Sequence, residues 1–369
     1  MAEATAIFAR GKNVARMDEL LAETKDNDGS DLHLTANMPP VLRVNGDLLS
    51  LEQYKPLEPE DIKRLLYQLL SPRQVEVLEK KFSVDLAVGV GGIGRFRINA
   101  YFQRGCVTCA FRRLADEIPQ LETLGLPKST YGLPNLQNGL VLVTGTTGSG
   151  KSTTLAAVID RINCLYRRNV ITIEDPVEYV HFHRKSIINQ RELHSDVESF
   201  ADALRSALRS DPDVIMVGEM RDLETIRTTI RAAETGHLVF STLHSRDAVS
   251  SVNRIVSVFP PEEQGQIRQQ LSASLKAVIS QQLLPRANAP GRIMASEVMM
   301  VTPAIGNLIR LGKQEHIQLA IETGNKLGMQ TMEQCLGHLL KCGAVDRETV
   351  LQRNCKMSQI KELTLYNRT

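Results

Sequence analysis

The stretch GTTGSGKS, Gly145 to Ser152, constrains this chain more than any other. It follows GLVLVTG, an apolar run closed by glycine, and precedes STTLAAVIDRINCLYRR, where Leu155, Val158, Ile159 and Ile162 recur on one helical face. Eight positions therefore fit G-x-x-x-x-G-K-S/T between a buried strand and an amphipathic helix. In that setting glycines let backbone N–H groups converge on phosphate, and the helix N-terminus adds its positive end. Gly145, Thr146, Thr147, Gly148, Ser149, Gly150, Lys151, Ser152 and Thr153 are the candidate nucleotide contacts. Lys151 suits the β and γ phosphates of ATP, and the Ser152 hydroxyl suits Mg²⁺.

The rest of the 369 residues divides around this loop, and the length suits two domains. Residues 1–115 read as a small mixed domain: a helix at MDELLAETK, short alternating strands with Asn45-Gly46 as a hairpin turn, and a helix opening at Ser71-Pro72. Residues 116–138, rich in proline and glycine and without lasting periodicity, read as a linker. Residues 139–369 alternate apolar strands with longer helices, the pattern of a parallel sheet wound with helices. Within them, Ser195 and Glu198 are spaced as a capping box, Gly236 is placed to end a helix, and the part from Ala248 onward reads as mostly helical.

Charge narrows the partners. Lys+Arg 44 against Asp+Glu 42 gives +2, without the basic excess or the basic, aromatic-interleaved strand path of a nucleic-acid motor, so no nucleic acid is expected. No run approaches the length of a membrane helix, the start lacks a secretory core, and six scattered cysteines read as reduced thiols; a cytoplasmic location is expected.

A transferring phosphoryl group needs its metal held and its attacking water oriented, tasks suited to carboxylates at the carboxyl ends of strands. ITIEDPVEY supplies Glu174, Asp175 and Glu178; VIMVGEMRD supplies Glu219, after Gly218, which lets the backbone turn close to the phosphates. His237 and His244 flank the strand LVFSTL, seven residues apart, an odd spacing that puts the imidazoles on opposite faces and argues against a shared metal. Cys106 and Cys109 also fall on opposite faces and read as packing. His181 and His183 read as an exposed polar strand face rather than a metal pair. Met299-Met300 read as core filler, and Cys335, Cys342 and Cys355 as packing or surface thiols.

Four segments in order, GTTGSGKST, TIEDPVEY, DPDVIMVGEMRD and TGHLVFSTLHSRDA, resemble the Walker A, Asp box, Walker B and His box of the type II/IV secretion ATPase superfamily. GSDLHLT, GRFRINAY and the short chain draw the resemblance toward its PilT-type members, the ATPases of type IV pilus retraction and twitching motility. That likeness implies an α/β fold with a RecA-like P-loop ATPase core and a smaller PAS-like α+β N-terminal domain. It assigns Glu219 to the attacking water, Glu178 to the metal and γ phosphate, and His237 and His244 to phosphate sensing and the subunit interface. It also implies a homohexamer in which Arg97 and Arg112 reach a neighbour's nucleotide. On the residues alone, each arginine reads equally as part of a solvated strand face. The implied partners are an inner-membrane pilus platform protein and a paralogous pilus ATPase, and the implied station is peripheral to the inner membrane.

Two departures qualify the likeness. The paired C-x-x-C metal site of extension and secretion members is reduced to a single pair, which argues for the retraction side. The AIRNLIRE box of retraction members reads AIGNLIRLG here, with Gly306 for an arginine and Leu311 for a glutamate. An accessory or extension-side paralogue, a non-hydrolysing regulatory subunit and a nucleic-acid-dependent motor on the same core are the alternatives.

Overall fold

The computed structural model describes residues 15–115 and 117–352; the expectation for Cys355 lies outside them. The chain divides into two compact units between Glu117 and Ile118.

In the first unit, strands β1 (Asp31–Leu34), β2 (Val41–Val44), β3 (Asp47–Ser50), β4 (Ser83–Val90), β5 (Gly94–Gln103) and β6 (Cys106–Arg113) form one sheet in the order β3-β2-β1-β6-β5-β4. Every neighbouring pair is antiparallel. Helices α1 (Met17–Asp26), α2 (Pro59–Tyr67) and α3 (Pro72–Lys81) add Leu20, Ile62, Leu65 and Leu78 to a core shared with Leu32, Phe96 and Phe111. Asn45 and Gly46 both take positive φ, as a tight hairpin turn between β2 and β3 requires, and Ser71 caps α3.

The second unit runs β7 (Gly139–Thr144), α4 (Lys151–Leu165), β8 (Asn169–Glu174), β9 (Ile187–Glu192), α5 (Phe200–Ala207), β10 (Val214–Val217), α6 (Leu223–Glu234) and β11 (Leu238–Leu243). It continues with α7 (Ala248–Ser257), α8 (Pro261–Ser274), β12 (Leu275–Pro285), β13 (Arg292–Met300), α9 (Pro303–Leu311), α10 (Gln314–Glu322), α11 (Met332–Lys341) and α12 (Arg347–Leu351). The sheet order is β13-β12-β7-β11-β10-β8-β9, all parallel except the β12–β13 pair. β7 is buried on both faces: Leu140 and Leu142 enter one core, and Val141 and Val143 enter the other with Leu155, Val158, Ile159 and Ile162 of α4. Sheet, helices and phosphate loop together make the α/β, RecA-like core.

Three expectations change. The part after Ala248 is not mostly helical, because β12 and β13 are long strands; their Leu, Ala, Gln and Met suit helices locally, and pairing with β7 overrides that preference. Residues 118–138 are not a free linker: two 3-10 turns, Leu121–Thr123 and Lys128–Asn135, bury Leu121, Leu126 and Leu133 in the same core as α4. Ser195 caps no helix; α5 starts later, and Ser199 accepts from the Asp202 N–H.

Candidate active site

The loop 145–150 leaves β7 and enters α4 at Lys151. No side chain caps that helix, so its first N–H groups are free for a ligand. Gly145 has φ +147°, and a Cβ there would collide with the Gln281 carbonyl and the Ser149 side chain. Gly148 and Gly150 also take positive φ. The Ser149 hydroxyl is buried with no partner. The Lys151 ammonium donates to the Gly145 and Thr146 carbonyls, 3.0 Å each. Burial lowers its pKa, opposed by the negative charges of Glu219 and Glu178, which places both acids within electrostatic reach of the lysine.

Those acids come from two strands beyond β11. Glu219 follows β10, and Glu178 lies in the loop after β8, so the phosphate loop and the carboxylates meet at the carboxyl edge of the sheet. Glu219 is 16% exposed; its Oε1 lies 3.2 Å from His244 Nε2, and its Oε2 accepts from Arg221 Nε at 2.8 Å. His244 follows β11, and its carbonyl accepts from Arg254 at 2.7 Å. Glu174, at the end of β8, is pushed up to about 7 by burial, opposed by hydrogen bonds from Thr172 and Gln190.

His237 is placed elsewhere. It pairs with the opposite end of β11: the Gly139 N–H donates to its carbonyl at 3.0 Å, and its Nδ1 sits 3.1 Å from the Ala232 carbonyl. A six-residue strand separates the two histidines, about 20 Å at the usual rise, so His237 does not join the His244–Glu219 site of its own chain. At Gly218 a Cβ would meet the Ile173 carbonyl at 3.1 Å and the Glu174 Cα at 3.3 Å, so glycine serves the close approach of β10's end to β8.

In the first unit Arg97 and Arg112 are directly opposed on β5 and β6. Two like charges facing each other cost stability unless something answers them. Asp31 answers Arg112 at 3.0 Å, and Asp85 lies 4.0 Å from Arg97. His181 is buried rather than exposed, and burial pushes its pKa down to about 4; no metal cluster of three or more His, Cys, Asp or Glu occurs among the described residues. Cys109 is buried and Cys106 half-buried, as packing on opposite faces requires. Cys335 packs beside Leu336, Cys342 is exposed, and Met299 is fully buried.

Sequence reasoning missed Arg221, although GEMRD places a cation two residues from Glu219. It also missed Gln281, whose Nε2 donates to the Ser149 carbonyl at 2.9 Å and whose Oε1 accepts from Thr154 at 3.1 Å. No local signal marks that glutamine. It lies on β12, more than a hundred residues from the loop it shapes.

Residues 95–338 match the family described as type II/IV secretion system protein. The chain is 46% identical over 335 residues to the type IV pilus retraction ATPase PilT of Pseudomonas aeruginosa, covering 91% of this chain and 97% of that one. It is 39% identical over 334 residues to the type IV pilus ATPase PilU of the same organism, covering 90% and 87%. A crystal structure of the pilus retraction motor PilT with bound ADP superposes with a TM-score of 0.89 at 46% identity, covering 94% of this chain and 99% of that chain.

Proposed function

Because the chain belongs to the type II/IV secretion system protein family, we propose that it is a Mg²⁺-dependent ATP hydrolase working as a homohexameric motor for type IV pilus retraction. The observation that carries this is the meeting of Lys151, Glu178 and Glu219 at an uncapped helix N-terminus, in a chain so close to a retraction motor that binds ADP.

The residues fit the nucleotide. Free N–H groups at α4, the glycine cradle and the orphaned Ser149 hydroxyl suit a polyphosphate, and Lys151 exchanges its two carbonyls for the β and γ phosphates. Ser152 and Glu178 would hold Mg²⁺, which supplies neutralising charge to the phosphates when bound. ATP supplies the electrophilic phosphorus. Glu219 orients the attacking water and receives its proton, and His244 fixes the Glu219 carboxylate. Arg221 holds the other carboxylate oxygen until the site closes. The opposed Arg97 and Arg112 complete a neighbour's site, which makes turnover depend on assembly; one such arginine is worth about 10³ to 10⁵ in rate. His237 serves the subunit interface.

The working station is cytoplasmic, at an inner-membrane pilus platform protein; no helix of the described residues is long and apolar enough to cross a membrane. Replacing Glu219→Gln lowers turnover by about 10² to 10⁴ while leaving nucleotide binding intact. In the host, a strain carrying only that variant accumulates long pili that do not shorten. Wild-type turnover by an assembled Glu219→Gln ring would sink the catalytic assignment, and loss of pili on deletion of the gene would sink the retraction assignment.

One observation favours a second reading. Leu311, where the retraction box carries a glutamate, is 55% exposed, so the altered AIGNLIRLG segment presents an apolar group at the surface in place of a charge. In that reading the chain is an accessory motor paired with a paralogous pilus ATPase. Deletion would then leave retraction present but weakened.

A further inference from the structure

The loop that carries Glu178 leaves β8 and returns to the edge strand β9, and side chains of these two strands hold its backbone. In the parallel register Thr172 faces Gln190 and Glu174 faces Glu192, so two pairs of polar residues share one face at the carboxyl end of the sheet. Gln190 Nε2 donates to the Tyr179 carbonyl at 2.8 Å and to Glu174 Oε1 at 3.1 Å; its Oε1 accepts from the His181 N–H at 2.7 Å. The Val177 N–H donates to Glu192 Oε2 at 3.1 Å. At the far side the Tyr179 hydroxyl meets Thr153 Oγ1, 2.9 Å away, on the first turn of α4.

We propose that Gln190 is a positioning residue for the metal-side acid. It grips the loop just beyond Glu178, through Tyr179 and His181, and joins that grip to buried Glu174. The inference rests on the reading of Glu178 as the carboxylate that helps hold Mg²⁺. An amide is suited to the task, since it donates twice and accepts once here with no charge of its own to compete for the ion. A carboxylate that must meet a metal within a few tenths of an ångström depends on the partners behind it, whose loss costs about 10- to 100-fold in metal affinity or activity. Position 190 has the geometry of such a partner.

The test uses the full-length ring and steady-state hydrolysis, titrated separately in Mg²⁺ and in ATP at saturating Mg²⁺. Gln190→Met keeps the length and removes all three hydrogen bonds. The expected result is a rise of about 10-fold or more in the Mg²⁺ concentration for half-maximal turnover and a fall in kcat, with KM for ATP within about twofold of wild type. Gln190→Asn keeps the neutral amide but shortens its reach, and falls between wild type and Gln190→Met; it also serves should the methionine variant fail to assemble. Added to Glu178→Gln, the Gln190→Met change produces no further loss, because it acts through the acid already removed.

A Mg²⁺ requirement unmoved in Gln190→Met, or a full additional loss on the Glu178→Gln background, overturns the positioning role. Should Glu178→Gln itself leave the Mg²⁺ dependence untouched, the metal-side reading of Glu178 falls and the proposal falls with it. A Glu178→Gln defect beside a silent Gln190→Met overturns the proposal alone.

Discussion

Gly306 offers a test in which local propensity and packing demand opposite outcomes. It sits inside α9, where replacing glycine by alanine ordinarily gains about 1 kcal/mol of helix stability. The structure sets a second demand: a Cβ at this position would lie 3.0 Å from the Ser272 carbonyl of α8, tighter than ordinary van der Waals contact, and that atom is helix backbone with little room to retreat. Overpacking of this kind costs about 1 to 3 kcal/mol, so Gly306→Ala should come out destabilised by about 1 kcal/mol net. Gly265, in α8, is the internal control, because a Cβ there meets nothing within 4 Å and the helical gain stands alone. Thermal unfolding of the full chain without nucleotide, at one fixed protein concentration, reads both; fixing these matters because assembly and ligands shift Tm. For a unit of this size 1 kcal/mol moves Tm by about 2 to 4 °C, so Gly265→Ala should rise by that amount and Gly306→Ala should fall by it. A Gly306→Ala variant that rises with the control would refute the close approach of α9 to α8. The glycine would then be a plain weakness in the helix, and the departure from AIRNLIRE would have no packing reason.

Two further outcomes follow from buried groups. Glu297 is buried on β13, accepts from the Ala248 N–H at 2.8 Å, and is pushed up to about 7 by burial, as Glu174 is. The native state therefore holds protons that the unfolded chain gives up above its ordinary 4.5, so this stability is full below about pH 4.5 and lost as pH rises through about 7, at about 3 kcal/mol per group. Buried His181, pushed down to about 4, acts in the opposite sense below about pH 6.5, so the comparison is between variants: between pH 5 and pH 8 Tm should fall less in Glu297→Gln than in wild type, and an unchanged slope would count against the burial argument. Gln281→Leu deletes both supports of the phosphate loop at similar volume, and fluorescent-nucleotide titration should show ATP bound about 10-fold more weakly. Unaltered affinity would mean the loop holds its shape without β12.

The strand, loop and helix from Gly139 to Leu165 were legible because apolar runs, glycines and helical spacing agree there at every level. β12 and β13 were not, since Leu, Gln, Ala and Met carry no strand signal of their own and only a buried neighbour strand makes them extended. Glu174, Glu178 and Glu219 could be found as acids at strand ends, while their separate tasks came from family likeness. His237 shows where spacing arithmetic stopped short. Seven residues fixed the opposite faces of β11, yet a histidine at each flank of a six-residue strand must also stand at opposite ends of the sheet. The hydrogen bonds of Gln190 and Gln281 had no trace in the sequence, because each depends on which strand lies beside which.

The tether between Gln281 and the phosphate loop has a consequence for how the protein is made. A nascent chain that had emerged to residue 260 would hold the whole GTTGSGKS signature, the α4 helix and every carboxylate of the site. It would lack β12, the strand that flanks β7 and supplies the amide under Ser149 and beside Thr154. Since non-local strand pairing forms only after its distant partner is available, the loop takes its binding shape late in synthesis. A half-finished subunit on the ribosome would carry the signature without the means to trap ATP, and nucleotide would engage only chains in which the central sheet is already closed on both sides of β7.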